Sequence, residues 1–300
     1  MDKILLIDKP YGMTTTYVTN KIKKYFNAEK AGHTGTLDPL ATGVVPIFLG
    51  KLTKLIPFIN ENKKKYIVKA IIGLQTETLD ISGRVLHVTE VPQLHLETLK
   101  KIVKSFIGKY TYVPPSYSAI KINGIPSYKY ARQGKEVGLP ERISTIYDIH
   151  IAKSGEYTFE LEVDCSKGTY IRSLVSDIGD KLGVGASVAS LRRLSSGSFN
   201  VEDSNKFFSL INSQSPIFFN PDDLFSTVEI NKSLLDHLKQ HSNHKKVNNE
   251  FLSNLSKKLG VKSNKDQHKL LTIDEYPVGL INNNFNETGD YIYSDIKLFY

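Results

Sequence analysis

Thirteen residues, Ala31-Gly32-His33-Thr34-Gly35-Thr36-Leu37-Asp38-Pro39-Leu40-Ala41-Thr42-Gly43, constrain this chain more than any other stretch. Glycine permits positive φ and close backbone approach, and Pro39 steers Asp38 away from the helical region, so the segment reads as a shaped loop. Its flanks are ordered. Thr14-Thr15-Thr16 offers caps for a helix whose apolar residues Val18, Ile22, Tyr25 and Phe26 recur at helical spacing, and residues 44–49 read as a buried strand. A strand at residues 3–9 precedes the helix. The loop therefore presents a carboxylate, Asp38, from between two packed elements. The residues alone leave two readings of it open, a group placed for chemistry or an aspartate capping its own turn.

Further along, residues 65–73 read as a strand, and Leu99, Ile102, Val103, Phe106 and Ile107 line a helical face that Gly108 would end. Residues 117–142 are turn-rich and net basic, with Lys121, Lys129, Arg132, Lys135 and Arg142 against Glu136 and Glu141, the pattern of a projecting insertion. Strands at about 143–152 and 157–164 lead to Ser166-Lys167-Gly168 and a helix from about Tyr170. Its apolar stripe is Ile171, Leu174, Val175, Ile178 and Leu182, with Arg172 off the stripe. Residues 200–224 read as an inter-domain connection and 231–269, rich in Asn, Lys, His and Ser, as a partly mobile stretch; 276–283 and 291–299 read as short strands. A chain of 300 residues is longer than one ordinary core needs, so a main domain at 1–224 and a smaller one at 225–300 are expected. Periodicity alone does not decide between α/β and α+β.

Charge narrows the partners. The chain carries 39 Lys and Arg against 31 Asp and Glu, an excess that suits a polyanion. Residues 225–300 hold ten Lys, no Arg and nine acidic residues, so the basic surface belongs to the first part. The single cysteine, Cys165, excludes an internal disulfide and a thiolate metal cluster. No apolar run approaches a membrane span and the first residues lack a signal's layout, so a soluble, cytoplasmic, monomeric protein is expected. There is no P-loop, G-x-G-x-x-G, His-Glu-x-x-His or G-x-S-x-G pattern, which removes support for nucleotide-driven, nicotinamide, metalloprotease and serine-hydrolase chemistry.

The segment Gly32-His33-Thr34-Gly35-Thr36-Leu37-Asp38-Pro39, continuing through Thr42-Gly43 to Lys54, resembles the signature of the TruB family of pseudouridine synthases. Similar blocks recur in order: Asp8-Lys9-Pro10-Tyr11-Gly12, Lys65-Tyr66, Tyr117 to Lys121, Tyr130 to Gly134, Cys165 to Arg172, and Leu191-Arg192-Arg193-Leu194. The resemblance covers about residues 1–200. It implies an α+β pseudouridine synthase fold, a mixed and largely antiparallel sheet flanked by helices, followed by a small degenerate PUA-like C-terminal module. It implies an isomerase that flips uridine 55 out of the T-loop of tRNA, with the T-arm as partner and neither metal nor cofactor required. Asp38 would be the nucleophile, which calls for a charged carboxylate and a pocket that retains detached uracil. Tyr66 and Tyr170 would supply aromatic faces, Leu191 an apolar wall, and Arg172 a guanidinium that orients Asp38. His33 would fill space left by the flipped base, and Lys121 and Arg132 would contact RNA. Two features depart from the family pattern, Thr15-Thr16-Tyr17 and Leu79-Asp80-Ile81-Ser82, and both are expected to bear on secondary RNA contacts. A non-catalytic RNA-binding protein and a nucleic-acid N-glycosidase are the rival readings.

Overall fold

In the computed structural model, which describes residues 1–92, 95–212, 215–242, 268–274, 276–285 and 291–299, the apolar runs on either side of the first helix and the loop become neighbouring strands. β1 (Ile4–Lys9) pairs antiparallel with β3 (Thr42–Leu49), and the short β2 (Ala31–His33) lies on the other side of β3. They join β4 (Lys63–Ile72), β5 (Gly108–Tyr112), β6 (Arg142–Ser154), β7 (Thr158–Ser166), β8 (Ala186–Ser196) and β9 (Asn205–Lys206) in one ten-stranded sheet. The order is β9-β1-β3-β8-β4-β7-β6-β5, with Phe199–Asn200 paired to β8. Within it only β1 with β9 and β3 with β8 run parallel, so the sheet is mixed but largely antiparallel. Helices α1 (Thr15–Tyr25), α2 (Leu96–Lys104) and α3 (Ile171–Lys181) cover one face through Val18, Ile22, Leu99, Val103, Leu174 and Ile178. The class is α+β.

Local chemistry explains α1. Thr14 caps it by accepting the Tyr17 N–H at 3.1 Å, and Lys23 and Lys24 sit in the last turn, where cations suit the helix dipole. Its buried residues, Thr15, Val18, Thr19 and Ile22, fall at i, i+3, i+4 and i+7. Two of the four are threonines, which turn out to face the Asp38 loop.

The other face of the sheet is covered as well. Residues beyond 225 form a second sheet, β10 (Ser226–Glu229), β11 (His268–Ile273), β12 (Tyr276–Phe285) and β13 (Tyr291–Leu298), in sequence order, with α4 (Lys232–Ser242) beside it. Phe225, Leu270, Leu280 and Phe299 share one apolar cluster with Ile4, Leu6, Val44 and Phe48, while Leu5, Ile7, Val45 and Ile47 face the helices. Double coverage is why Ile4 to Ile7 is unbroken hydrophobic sequence instead of alternating. Because Phe299 is buried there, Phe299→Ala is expected to cost about 3–5 kcal/mol in a urea titration. Deleting residues 225–300 should leave an aggregating chain. A truncation that unfolds at the parental midpoint would show that this cover is dispensable.

Two expectations are corrected, and a third falls largely outside the described residues. Residues 200–224 are not a mere connection: β9 extends the main sheet, Phe207 and Leu210 enter the core, and Asn205 bonds both Leu6 O at 3.1 Å and Ile217. Gly108 does not end α2, which stops at Lys104. Gly108 instead turns the chain into β5 at φ +101°, leaving Phe106 buried and Ile107 exposed. Of residues 231–269, 232–242 are helical and 243–267 lie outside the described residues.

Candidate active site

The backbone around Asp38 is anchored at Leu37, Asp38 and Pro39. The Thr15 hydroxyl accepts from Leu37 N–H and donates to Leu37 C=O, both at 2.9 Å. Asp38 C=O accepts from Ala41 N–H at 3.1 Å, and Pro39 C=O accepts from Gly12 N–H at 2.8 Å and from Lys9 Nζ at 3.3 Å. Lys9 is wholly buried and also donates to Pro10 O and Met13 O at 2.9 and 2.7 Å. Burial pulls its pKa down to about 8, with Asp38 opposing that shift. The loop then returns through Gly43, at φ +110°, where a Cβ would fall 2.1 Å from Arg193 O. Only glycine fits there. A loop anchored through backbone groups holds its side chain in place without depending on that side chain.

Arg172 meets the carboxylate from α3. Its Nε lies 2.9 Å from Asp38 Oδ2, an ion pair in which the N–H is not aimed squarely at the oxygen. The two terminal nitrogens donate to Thr78 O at 2.8 Å and Tyr117 O at 2.9 Å. A second carboxylate, Asp80, stands 3.8 Å from Nη1 and is buried. Asp80 is itself held by the Thr78 hydroxyl at 2.7 Å, by Ser82 N–H at 3.0 Å and by the Ser82 hydroxyl. Arg172 lies off the apolar stripe as expected, yet it is buried. Its charge is committed inward and its fork is fixed by two carbonyls.

These groups border a cavity of about 370 Å³ lined by Asp38, Lys64, Tyr66, Ser118, Tyr170, Arg172 and Leu191, among others, within the range of small-ligand sites. Burial pushes the Tyr66 phenol up to about 12, against the nearby Arg193, so it stays protonated at neutral pH. Burial also raises Tyr170. Arg193 lies under the loop, its Nη2 donating to Gly35 O at 2.8 Å and Val44 O at 2.7 Å. The alternation of β8 sorts the Leu191-Arg192-Arg193 run. Leu191 and Arg193 serve the site side, whereas Arg192 makes a bidentate pair with Asp8 at 2.9 and 2.8 Å that Lys206 joins. Among the described residues, no group of three or more His, Cys, Asp and Glu could hold a metal ion.

The structure thus brings Asp38, Tyr66, Tyr170, Arg172 and Leu191 to one cavity. His33 is half-buried beside it, its Nδ1 at 3.2 Å from Thr19 Oγ1. Lys121 and Arg132 are exposed on the 117–142 insertion, whose Ser118, Ala119 and Ile120 reach the cavity while Arg132 lies over the Tyr128 ring. Sequence reading missed Lys9, Lys64, Arg193 and the roles of Thr15 and Asp80. The two family departures do not simply face outward: Thr15 and Asp80 are buried and brace Leu37 and Arg172. The available signal for Asp80 was a polar Thr-x-Asp-x-Ser pattern surrounding one acid.

The family model described as TruB family pseudouridylate synthase, N-terminal domain, matches residues 23–171, and the tRNA pseudouridylate synthase B C-terminal domain matches residues 172–215. A tRNA pseudouridine synthase B from Blochmanniella pennsylvanica is 48% identical over 196 residues, which cover 65% of this chain and 75% of the relative. This chain belongs to the TruB family of pseudouridine synthases. A Geobacter sulfurreducens tRNA pseudouridine synthase B is 41% identical over 202 residues, covering 67% of this chain and 66% of the relative. Among solved structures, a chain of a Cbf5-Nop10-Gar1 complex superposes with a TM-score of 0.66 at 22% identity, covering 99% of this chain and 85% of its own. That likeness extends the fold into the tail, where the family models do not match. The matched residues include the anchored loop.

Proposed function

We propose that this TruB-family isomerase converts uridine 55 in the T-loop of tRNA to pseudouridine, with Asp38 as the attacking carboxylate. The observation that carries the reading is the Asp38–Arg172 pair at 2.9 Å on a cavity walled by Tyr66, Tyr170 and Leu191. A base must leave its stack to enter such a cavity. Attack at ribose C1′ breaks the bond to uracil N1. The retained base turns between the aromatic and apolar walls, C5 bonds to C1′ as the bond from C1′ to the Asp38 oxygen breaks and frees the carboxylate, and the proton leaving C5 balances the one gained at N1. Nothing is oxidised and mass is unchanged. Both tyrosines are protonated at neutral pH, so they serve this sequence as faces and hydrogen-bond donors. To His33, half-buried against Thr19, this reading assigns the gap left in the opened loop.

Incubating the protein with unmodified tRNA and mapping pseudouridine by chemical labelling and reverse transcription tests the reading. A single new site in the T-loop is the expected result. Free uracil would instead identify an N-glycosidase, and no change in any tRNA would leave a binding protein. Affinity should also fall at least about tenfold between roughly 50 and 200 mM salt, since Lys and Arg displace counterions from phosphates. A flat titration would remove the basic surface from the recognition mechanism.

A further inference from the structure

Thr19 bonds at two points, and a hydroxyl has only one proton. Its Oγ1 lies 2.9 Å from Thr15 O, four residues back along α1, and 3.2 Å from His33 Nδ1. A carbonyl oxygen can only accept. Were the hydroxyl proton turned to His33, two oxygens would face each other at 2.9 Å with no proton between them. The proton therefore goes to Thr15 O, the common back-bond of a helical threonine, and the contact with Nδ1 must be filled from the imidazole side. Nδ1 carries a proton. The Thr15 hydroxyl meanwhile holds both polar groups of Leu37, next to Asp38. Thr15 and Thr19 are buried.

We propose that Thr19, backed by Thr15, is a positioning residue that locks His33 in its Nδ1–H tautomer and so presents Nε2 to the RNA as a hydrogen-bond acceptor. The group it takes is a donor, meaning a base amino group, an imino N–H or a ribose 2′-hydroxyl, and not a phosphate oxygen. Nε2 has no hydrogen-bond partner among the described residues. The ring is neutral at neutral pH, because burial and the facing Arg193 lower its pKa while Glu61 opposes them. An Nε2–H or imidazolium form would suit a phosphate instead. The same two threonines set the spacing of His33 from Asp38, so the acceptor and the carboxylate are placed by one helix. The RNA part of this inference rests on the reading of the cavity given above.

The tautomer can be read in the full-length protein without RNA. Long-range ¹H–¹⁵N correlation of histidine-labelled protein at neutral pH, with His33 assigned by its absence from His33→Gln, should show a protonated Nδ1 and a bare Nε2. Thr19→Val, which keeps size and removes the hydroxyl, should lose that preference, and Thr19→Ser should restore it. A parent protein with mainly Nε2–H, or a Thr19→Val spectrum like the parent's, would overturn the lock. On tRNA, Thr19→Val should slow single-turnover pseudouridine formation about three- to tenfold, the weight of one neutral hydrogen bond, with Thr19→Ser near the parent. The salt dependence of binding should be unchanged in His33→Gln, whereas a phosphate contact would lower its slope by about one. A changed tautomer with unchanged turnover, or a reduced slope, overturns the acceptor role. Correct spectra in a protein that modifies no tRNA would overturn the proposed function and leave the lock standing.

Discussion

Asp38→Asn is expected to abolish pseudouridine formation, a loss of at least about 10⁴-fold in single turnover, while tRNA still binds. The substitution changes charge and nucleophilicity and almost nothing else. The loop is held by Leu37, Asp38 and Pro39 main-chain groups bonded to Thr15, Ala41, Gly12 and Lys9, none of which involves the carboxylate. Arg172 would retain a polar oxygen near Nε, and its Nη groups keep Thr78 O and Tyr117 O. An amide cannot attack C1′ or carry the negative charge that the reaction requires. Binding draws on distributed phosphate, sugar and stacking contacts, to which one carboxylate adds little. Affinity should therefore stay within about tenfold, or about 1.4 kcal/mol. A binding titration and a single-turnover assay on the same folded preparation decide it. Near-parental turnover would remove Asp38 from the chemistry.

Much of the site could be read in advance because its key residues cluster in sequence. Gly35, Asp38, Pro39 and Gly43 lie within one loop, and a loop whose conformation needs glycine and proline announces itself. Tyr170 and Arg172 follow a Gly-Thr turn at a helix start, another local signal. Lys9 and Arg193 escaped because their roles depend on depth. A lysine at a strand end normally reaches solvent, and only the fold shows it buried against Pro10, Met13 and Pro39 carbonyls. Asp80 escaped for a related reason: its partner Arg172 is 92 positions away, and no pattern within residues 78–82 names a guanidinium. In the fold, the strands with strong runs were legible, whereas β2, β5, β8, β9, β10 and β11 were not read from the sequence. The cover that tail gives to Ile4, Leu6, Val44 and Phe48 was implicit in their unbroken hydrophobicity, but which segment supplies it is a long-range fact.

Removing the guanidinium should be the most damaging single change to stability in the site. Arg172→Met preserves an apolar stem of similar length but strips the counter-charge from Asp80, which is 3% exposed, and the donors from Thr78 O and Tyr117 O. An unpaired buried carboxylate typically costs about 3–5 kcal/mol, because water cannot reach it and its three remaining donors, from Thr78 and Ser82, stabilise but do not neutralise it. Asp38 loses its partner too, but with its side chain 35% exposed it can recruit water, so its share of the stability loss is smaller. The two carboxylates can be separated by experiment. Adding Asp80→Asn to Arg172→Met removes the stranded charge and should recover at least about 1 kcal/mol in a urea titration, a coupling of the size expected for contacting residues. Turnover should not recover, since the guanidinium beside the Asp38 carboxylate is still missing. A double variant no more stable than Arg172→Met would mean that Asp80 is not the burden, and the loss would pass to the unpaired carbonyls. Near-parental turnover in either variant would show that Asp38 acts without Arg172, leaving the guanidinium a purely structural brace between α3, the Thr78–Ser82 turn and the base of the 117–142 insertion.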